Sequence, residues 1–165
     1  MPLNLEFKIK MDSHKQFEAI LKKNNAEFKG TLNQKDIYYK TSKGLLKLRV
    51  EGKKNTLIKY LREEKGKRWS NYELLELRGR NPEKYLESIL KIEAVVEKKR
   101  KLYLYDNTRV HLDQVKELGQ FLELETLLTD GKMEATKRFN YIKRMLGIEN
   151  VEQIHTSYKN LILNK

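Results

Sequence analysis

Apolar and polar residues alternate from the start of the chain: Leu3, Leu5, Phe7 and Ile9 interleave with Asn4, Glu6, Lys8 and Lys10. This is the period-two pattern of a half-buried strand. Short segments rich in Leu, Ile, Val and Tyr, bounded by turn residues, predict seven more strands, at 35–41, 44–51, 55–64, 68–77, 94–106, 108–115 and 120–128. Helical spacing replaces alternation in three places. At 13–25, Phe17, Ile20 and Leu21 follow a capping Ser13, and at 81–92 Tyr85, Leu86, Ile89 and Leu90 follow Asn81 and Pro82. The third helix lies in 131–149 and ends at Gly147, after which a last segment closes the chain. Antiparallel sheets of this size often remove their exposed edges by closing into barrels or tunnels. The fold class predicted is α+β, an eight-stranded antiparallel β-barrel with flanking helices.

The second face of each strand is selective. Lys47, Arg49 and Glu51 share one face opposite Leu46, Leu48 and Val50; Lys98 shares parity with Arg100; Arg109, His111 and Asp113 oppose Val110 and Leu112; Glu123 and Glu125 alternate with Leu122 and Leu124. Period two does not decide which face is internal. Directed outward, these residues make a charged surface; directed inward, they make an enclosure crowded with bases and a few carboxylates.

Composition narrows the chemistry. The 165 residues suffice for one core, so 1–165 is expected to be a single domain. No apolar run has the length of a membrane span and the first residues lack the features of a signal peptide, which points to the cytoplasm and away from membranes. The absence of cysteine excludes disulfides and thiolate metal sites, and His14, His111 and His155 lack paired zinc-ligand spacing, so a metal would be held by oxygen. A formal net charge of +12 favours a polyanionic partner. A basic nucleic-acid-binding domain is the rival reading, with KKRK at 98–101 as its phosphate-contacting patch. Against it, the strands lack an aromatic platform, and Glu123 with Glu125 would repel a nucleic-acid backbone.

Glu123 and Glu125 project from the same side of one strand, about 7 Å apart at Cβ, and repel one another unless a cation lies between them. Hard divalent cations such as Mg²⁺ take oxygen ligands of this kind together with substrate phosphates, and Glu6 would be a third donor. In order along the chain come NLEFK (Asn4, Glu6, Lys8), DIYY at Asp36, LKLR (Lys47, Arg49), IKYLR (Lys59, Arg62), SNYE at 70–73, V-x-K-x-R (Val96, Lys98, Arg100), RVHLDQVKELGQFLELE at 109–125, and SYKNL around Tyr158. Together these motifs resemble the CYTH domain, or triphosphate tunnel metalloenzyme, family, which includes class IV adenylyl cyclases and thiamine triphosphatases. The stretch from Val96 to Glu125 is the most specific part.

That resemblance implies a tunnel whose inward bases grip a triphosphate and whose inward acids hold metal. Lys8, Lys47, Arg49, Lys59, Lys98, Arg100 and Arg109 would bind substrate, with Arg62 a further candidate and Lys10 also facing the tunnel; Glu6, Glu123 and Glu125 would bind Mg²⁺ or Mn²⁺. Asp113 is an outside candidate that would otherwise pair with a neighbouring base, His111 a hydrogen-bonding group of the wall, and Tyr158 a brace or a substrate contact. The implied ligand is a nucleotide, thiamine triphosphate or tripolyphosphate. The sequence departs from the family's E-x-E-x-K signature at Asn4, which weakens a second cation site. Hydrolysis by water is the expected reaction, with cyclisation of ATP to cyclic AMP and pyrophosphate as the alternative and non-catalytic polyphosphate binding as the limit. An exposed face on the terminal helices leaves room for a homodimer.

Overall fold

A computed structural model describes residues 3–62 and 68–165, apart from the side chains of Arg62 and Arg68. Its strands are β1 (Leu3–Met11), β2 (Glu27–Tyr39), β3 (Leu45–Glu51), β4 (Lys54–Arg62), β5 (Arg68–Leu77), β6 (Ile92–Tyr105), β7 (Thr108–Val115) and β8 (Gly119–Leu127), and its helices are α1 (Lys15–Lys23), α2 (Pro82–Glu87), α3 (Lys132–Met145) and α4 (Tyr158–Leu163). The eight strands form a closed antiparallel barrel in the order β1-β5-β4-β3-β2-β6-β7-β8. Every predicted strand is present. The turn expected at EKGK lies outside the described residues, as does the predicted extension of β4 to residue 64.

On β1, β3, β7 and β8 apolar side chains mostly face out and charged ones face in. Leu5, Phe7 and Ile9 of β1 join Val110, Leu112, Leu122 and Leu124 of β7 and β8 under Phe17 and Leu21 of α1 and Phe139, Ile142 and Leu146 of α3. Each such side chain, fully buried, stabilises the fold by about 1.5–3 kcal/mol. On another wall α2 sets Leu86 over Ile37, Tyr39 and Leu48. The helices therefore do for the outside of this barrel what a core does for the inside of an ordinary one, and most of the buried charge is left to the lumen.

Local chemistry sets the ends of these elements. Asn81 caps α2 by accepting a hydrogen bond from the Lys84 amide, with Pro82 in the first turn. After α3 the amides of Gly147 and Ile148 donate to the carbonyls of Arg144 and Lys143, a Schellman stop that requires the positive φ of 71° at Gly147. The β6–β7 turn places Asp106 and Asn107 both at positive φ, the geometry that matches strand twist in a two-residue hairpin.

Three boundaries differ from expectation. β2 begins at Glu27 rather than 35, because its polar first half pairs along β6 through an irregularity at Phe28/Gly30. α2 stops at Glu87 instead of continuing to 92. At α1 the N-cap position is His14, while the Ser13 hydroxyl accepts from the Lys15 amide at 3.3 Å. Among the described residues no helix is long and apolar enough to cross a membrane.

The C-terminal segment closes one end of the barrel. Its Ile154 amide donates to the Lys8 carbonyl at 2.8 Å. Tyr158 packs with Tyr38, Val96, Val115 and Phe121, flanked by Leu161 and Ile162 of α4, to make an apolar floor.

Candidate functional site

Above that floor lies a cavity of about 480 Å³, a volume typical of small-molecule sites, roughly 300–1,000 Å³. Inward parity brings Lys8, Lys47, Arg49, Lys98, Arg100 and Arg109 to its wall, together with Glu6, Glu123 and Glu125. Lys59 is a correction to the expected set. It occupies the outward parity of β4 between Ile58 and Tyr60, is exposed, and pairs with Glu73 at 3.4 Å. Lys10 keeps the inward parity of β1 but is exposed, with its amine 5.8 Å from the Phe121 ring centroid. The Arg62 side chain lies outside the described residues.

Two carboxylates behind the lining organise the bases. Asp36 is fully buried and directly opposite Arg49 in the β2–β3 register. It accepts from Arg49 Nε and Nη2 at 2.8 Å each, from Lys47 Nζ at 3.0 Å and from Lys98 Nζ at 3.3 Å. Asp113, also fully buried, faces Arg100 across β6–β7 and accepts a two-pronged contact at 2.7 Å, plus the Tyr158 hydroxyl at 2.7 Å. Such forked, charge-assisted pairs fix the plane of a guanidinium. Tyr158 also lies beneath the Lys8 amine, 4.1 Å from its ring centroid, so it is a brace of the floor and of the bases at once.

Burial and charge set the protonation states. Burial works against the Asp36 carboxylate, but Arg49, Lys47 and Lys98 outweigh it and hold the group well below the usual carboxylate range. Burial likewise opposes ionised Asp113, and Arg100 keeps it down at about 2. The lysines move the other way. Burial, reinforced by Arg100, pushes Lys98 down to about 7, with Asp36 only partly opposing. Burial pushes Lys47 down to about 8 against the pull of Asp36.

On the β7–β8 wall, His111 stands opposite Glu123, and Arg109 opposite Glu125. His111 Nδ1 lies 3.1 Å from Glu123 Oε1, and Arg109 Nη2 lies 2.7 Å from Glu125 Oε2. Burial lowers the pKa of His111, which favours neutral imidazole. Since a carboxylate cannot donate, the ring then carries its proton on Nδ1 and presents Nε2 as the acceptor. Burial opposes ionisation of Glu123, yet the His111 hydrogen bond, Arg100 and Lys8 keep it well below its ordinary value.

Ligand atoms of His111, Glu123 and Glu125 lie within 4.8 Å of one another, close enough to share one cation. Glu6 pairs with Glu125 across β1–β8. Two residues along from Glu6, Asn4 is 2% exposed and its Oδ1 has no hydrogen-bond partner among the described residues. A buried, orphaned carbonyl beside this acidic wall fits an oxygen-ligated metal. His111 was expected only as a wall group; its cross-strand register with Glu123 places a nitrogen donor beside the two carboxylates.

The CYTH domain model matches residues 3–158. The chain belongs to the CYTH domain family. Among solved structures, the PH1012 protein of Pyrococcus horikoshii OT3 is 24% identical with a TM-score of 0.78, covering 98% of this chain and 99% of its own. A candidate adenylate cyclase of Vibrio parahaemolyticus is 18% identical with a TM-score of 0.80, covering 98% of each chain. A candidate adenylyl cyclase of Hippeastrum with a dominant triphosphatase activity is 12% identical with a TM-score of 0.68, covering 99% of this chain and 95% of its own. These likenesses establish the fold. No curated protein matches the sequence.

Proposed function

We propose that the chain is a cytoplasmic, divalent-metal-dependent phosphohydrolase, residues 1–165 forming one tunnel domain that binds a triphosphate-containing small molecule and cleaves its terminal phosphate with water. One observation carries the reading: bases held by Asp36 and Asp113 share a closed lumen with the cation-sized group of His111, Glu123 and Glu125. Phosphoryl transfer is accelerated chiefly by positioning and by fixed positive charge at the transferred group. Arg49 and Arg100 supply fixed forks, while Lys8, Lys47 and Lys98 supply point charges. Glu6, Glu123, Glu125 and His111 would hold Mg²⁺ or Mn²⁺, and a bound cation would neutralise phosphate oxygens and activate a nucleophile.

The cyclase reading is kept because a cyclase-named neighbour shares the fold with a TM-score of 0.80. Product analysis decides between the two. The protein is incubated with Mg²⁺ or Mn²⁺ and, separately, ATP, thiamine triphosphate and tripolyphosphate, and products are read by ³¹P NMR. Orthophosphate is expected. Cyclic AMP with pyrophosphate would transfer the assignment to the cyclase branch, and tight binding with no product would make the tunnel a binding site.

A further inference from the structure

The outer wall of β4 and β5 is clothed differently from its neighbours. Ile58, Tyr60, Tyr72 and Leu74 line the cavity, so alternation turns Leu57, Lys59 and Leu61 of β4 and Glu73 and Leu75 of β5 outward. On β7 and β8 the outward Leu112, Leu122 and Leu124 are buried in the cluster that α1 and α3 cover. α2 covers Leu48 of β3 and reaches the β4–β5 wall only at its margin, through Leu57 and Leu77. Beyond that margin Leu61 and Leu75 belong to no core cluster of the described residues, and they are 36% and 56% exposed. A single exposed leucine is ordinary, but these two lie on one sheet face whose apolar margin is already half-buried.

Charge selects the occupant of this wall. The chain carries a formal net charge of +12, yet between these leucines Lys59 is matched by Glu73 at 3.4 Å, and the remaining outward groups of the two strands there are neutral. A polyanion gains nothing from a balanced surface, whereas a second copy of the same basic chain escapes there the repulsion it meets elsewhere. The terminal helix α3 shows the contrast. Its exposed Met133 and Tyr141 are flanked by exposed Lys132, Lys137 and Arg144 against one carboxylate of the helix, Glu134, so two copies meeting at α3 would set like charges together.

Register supplies the symmetry. Leu57 stands directly opposite Leu75, and Lys59 opposite Glu73. A two-fold axis along the β4–β5 seam lays β4 of one copy on β5 of the other at the same height, in the aligned packing common between sheets. Leu57 then meets the partner's Leu75 and Lys59 the partner's Glu73, each contact made twice, as an isologous interface requires. Four charges alternate in sign around the axis. We propose that this wall is a homodimer face, two copies packing β4–β5 against β4–β5. Two convex walls of this width bury less than the roughly 800 Å² per partner of a standard interface, so the dimer is expected to half-form at about 10–100 μM.

Sedimentation velocity over about 1–500 μM, a range that brackets this affinity, tests the proposal. Monomer is expected at the low end and dimer at the high end. Leu75→Asp, at an exposed position that the fold tolerates, should weaken the dimer about tenfold or more. Lys59→Glu and Glu73→Lys should each weaken it as well, and the two together should restore it, with the circular dichroism of the barrel unchanged throughout. Carbodiimide coupling of a mixture of ¹⁵N-labelled and unlabelled protein should join Lys59 to Glu73 in cross-links of mixed isotope. A monomer at every concentration, or a dimer that persists in Leu75→Asp and is lost in Tyr141→Asp, overturns the proposal, the second result moving the interface to α3.

Discussion

Triphosphate binding should draw protons into the tunnel, and the structure gives their number. Lys98 has its pKa pushed down to about 7 and Lys47 to about 8 by burial. At about pH 8, simple titration leaves Lys98 roughly 0.9 proton short of full charge and Lys47 roughly 0.5 short. A bound tetra-anion restores both to the charged state, so uptake is about 1.4 protons per ligand, and affinity falls as pH rises above 7. At about pH 6 both lysines are already charged and the terminal phosphate of ATP carries a proton of its own, so uptake falls to zero or reverses. The assay is titration calorimetry of ATP binding in EDTA, repeated in buffers of different ionisation enthalpy; the slope of the observed enthalpy is the proton number. Lys98→Met should reduce it to about half a proton or less at about pH 8. A proton number near zero at about pH 8, or one unchanged between the two pH values, would refute the burial argument.

In the free protein the sign of the same shifts gives a second expectation: the unfolded chain binds more protons than the fold between the lowered and ordinary lysine pKa values, so the lysines' contribution makes unfolding free energy rise from about pH 7 toward pH 10 in denaturant titrations, and Lys98→Met should flatten that rise. Asp36→Asn leaves Arg49, Lys47 and Lys98 buried without their shared anion and should cost about 3–5 kcal/mol of stability by urea unfolding. Glu125→Gln should abolish metal-dependent turnover while the circular dichroism of the barrel is retained, and full activity in this variant would remove Glu125 from the metal site. Arg49→Ala should weaken triphosphate binding more than monophosphate binding, whereas Lys59→Ala, on the outer wall, should alter stability by no more than about 0.5 kcal/mol and leave binding unchanged.

The barrel was legible because most strands keep a clean parity. Parity puts Leu46, Leu48 and Val50 on one face and Lys47 and Arg49 on the other, and the resemblance to the tunnel family sent the charged face inward. β4 defeats this reasoning, since Leu57, Ile58, Tyr60 and Leu61 put apolar groups on both faces, and Lys59 was assigned to the wrong one. The first half of β2 was missed because Glu27, Lys29, Asn33 and Gln34 carry no apolar alternation; its strand conformation comes from pairing with β6, a tertiary effect. The partners of Asp36 and Asp113 needed cross-strand register, which parity alone does not contain. For His111 and Glu123 the signal was available: the short KELG turn that closes Val115 on Gly119 fixes every later pair of that hairpin.

The buried acids explain how so basic a lumen can be ready for substrate. Arg49 spends one edge of its guanidinium on Asp36, and Arg100 is held by Asp113 and, through Nη2 at 3.2 Å, by Glu123. Their orientation is therefore fixed on folding, and binding avoids an ordering cost of about 0.5–1.5 kcal/mol for each such side chain. Lys47 and Lys98 are held differently, by contacts of 3.0 and 3.3 Å to an Asp36 already shared with Arg49, with the Tyr38 hydroxyl at 3.4 Å a second acceptor for Lys47. One carboxylate cannot compensate three buried cations, so the deficit falls on the two amines, whose charge is the one that can be given up. The free tunnel thus keeps its guanidiniums fixed and its lysines partly discharged, and an incoming triphosphate supplies the negative charge that completes them. A ligand with fewer charges leaves that deficit in place, so phosphate number is selected through protonation as well as through contact.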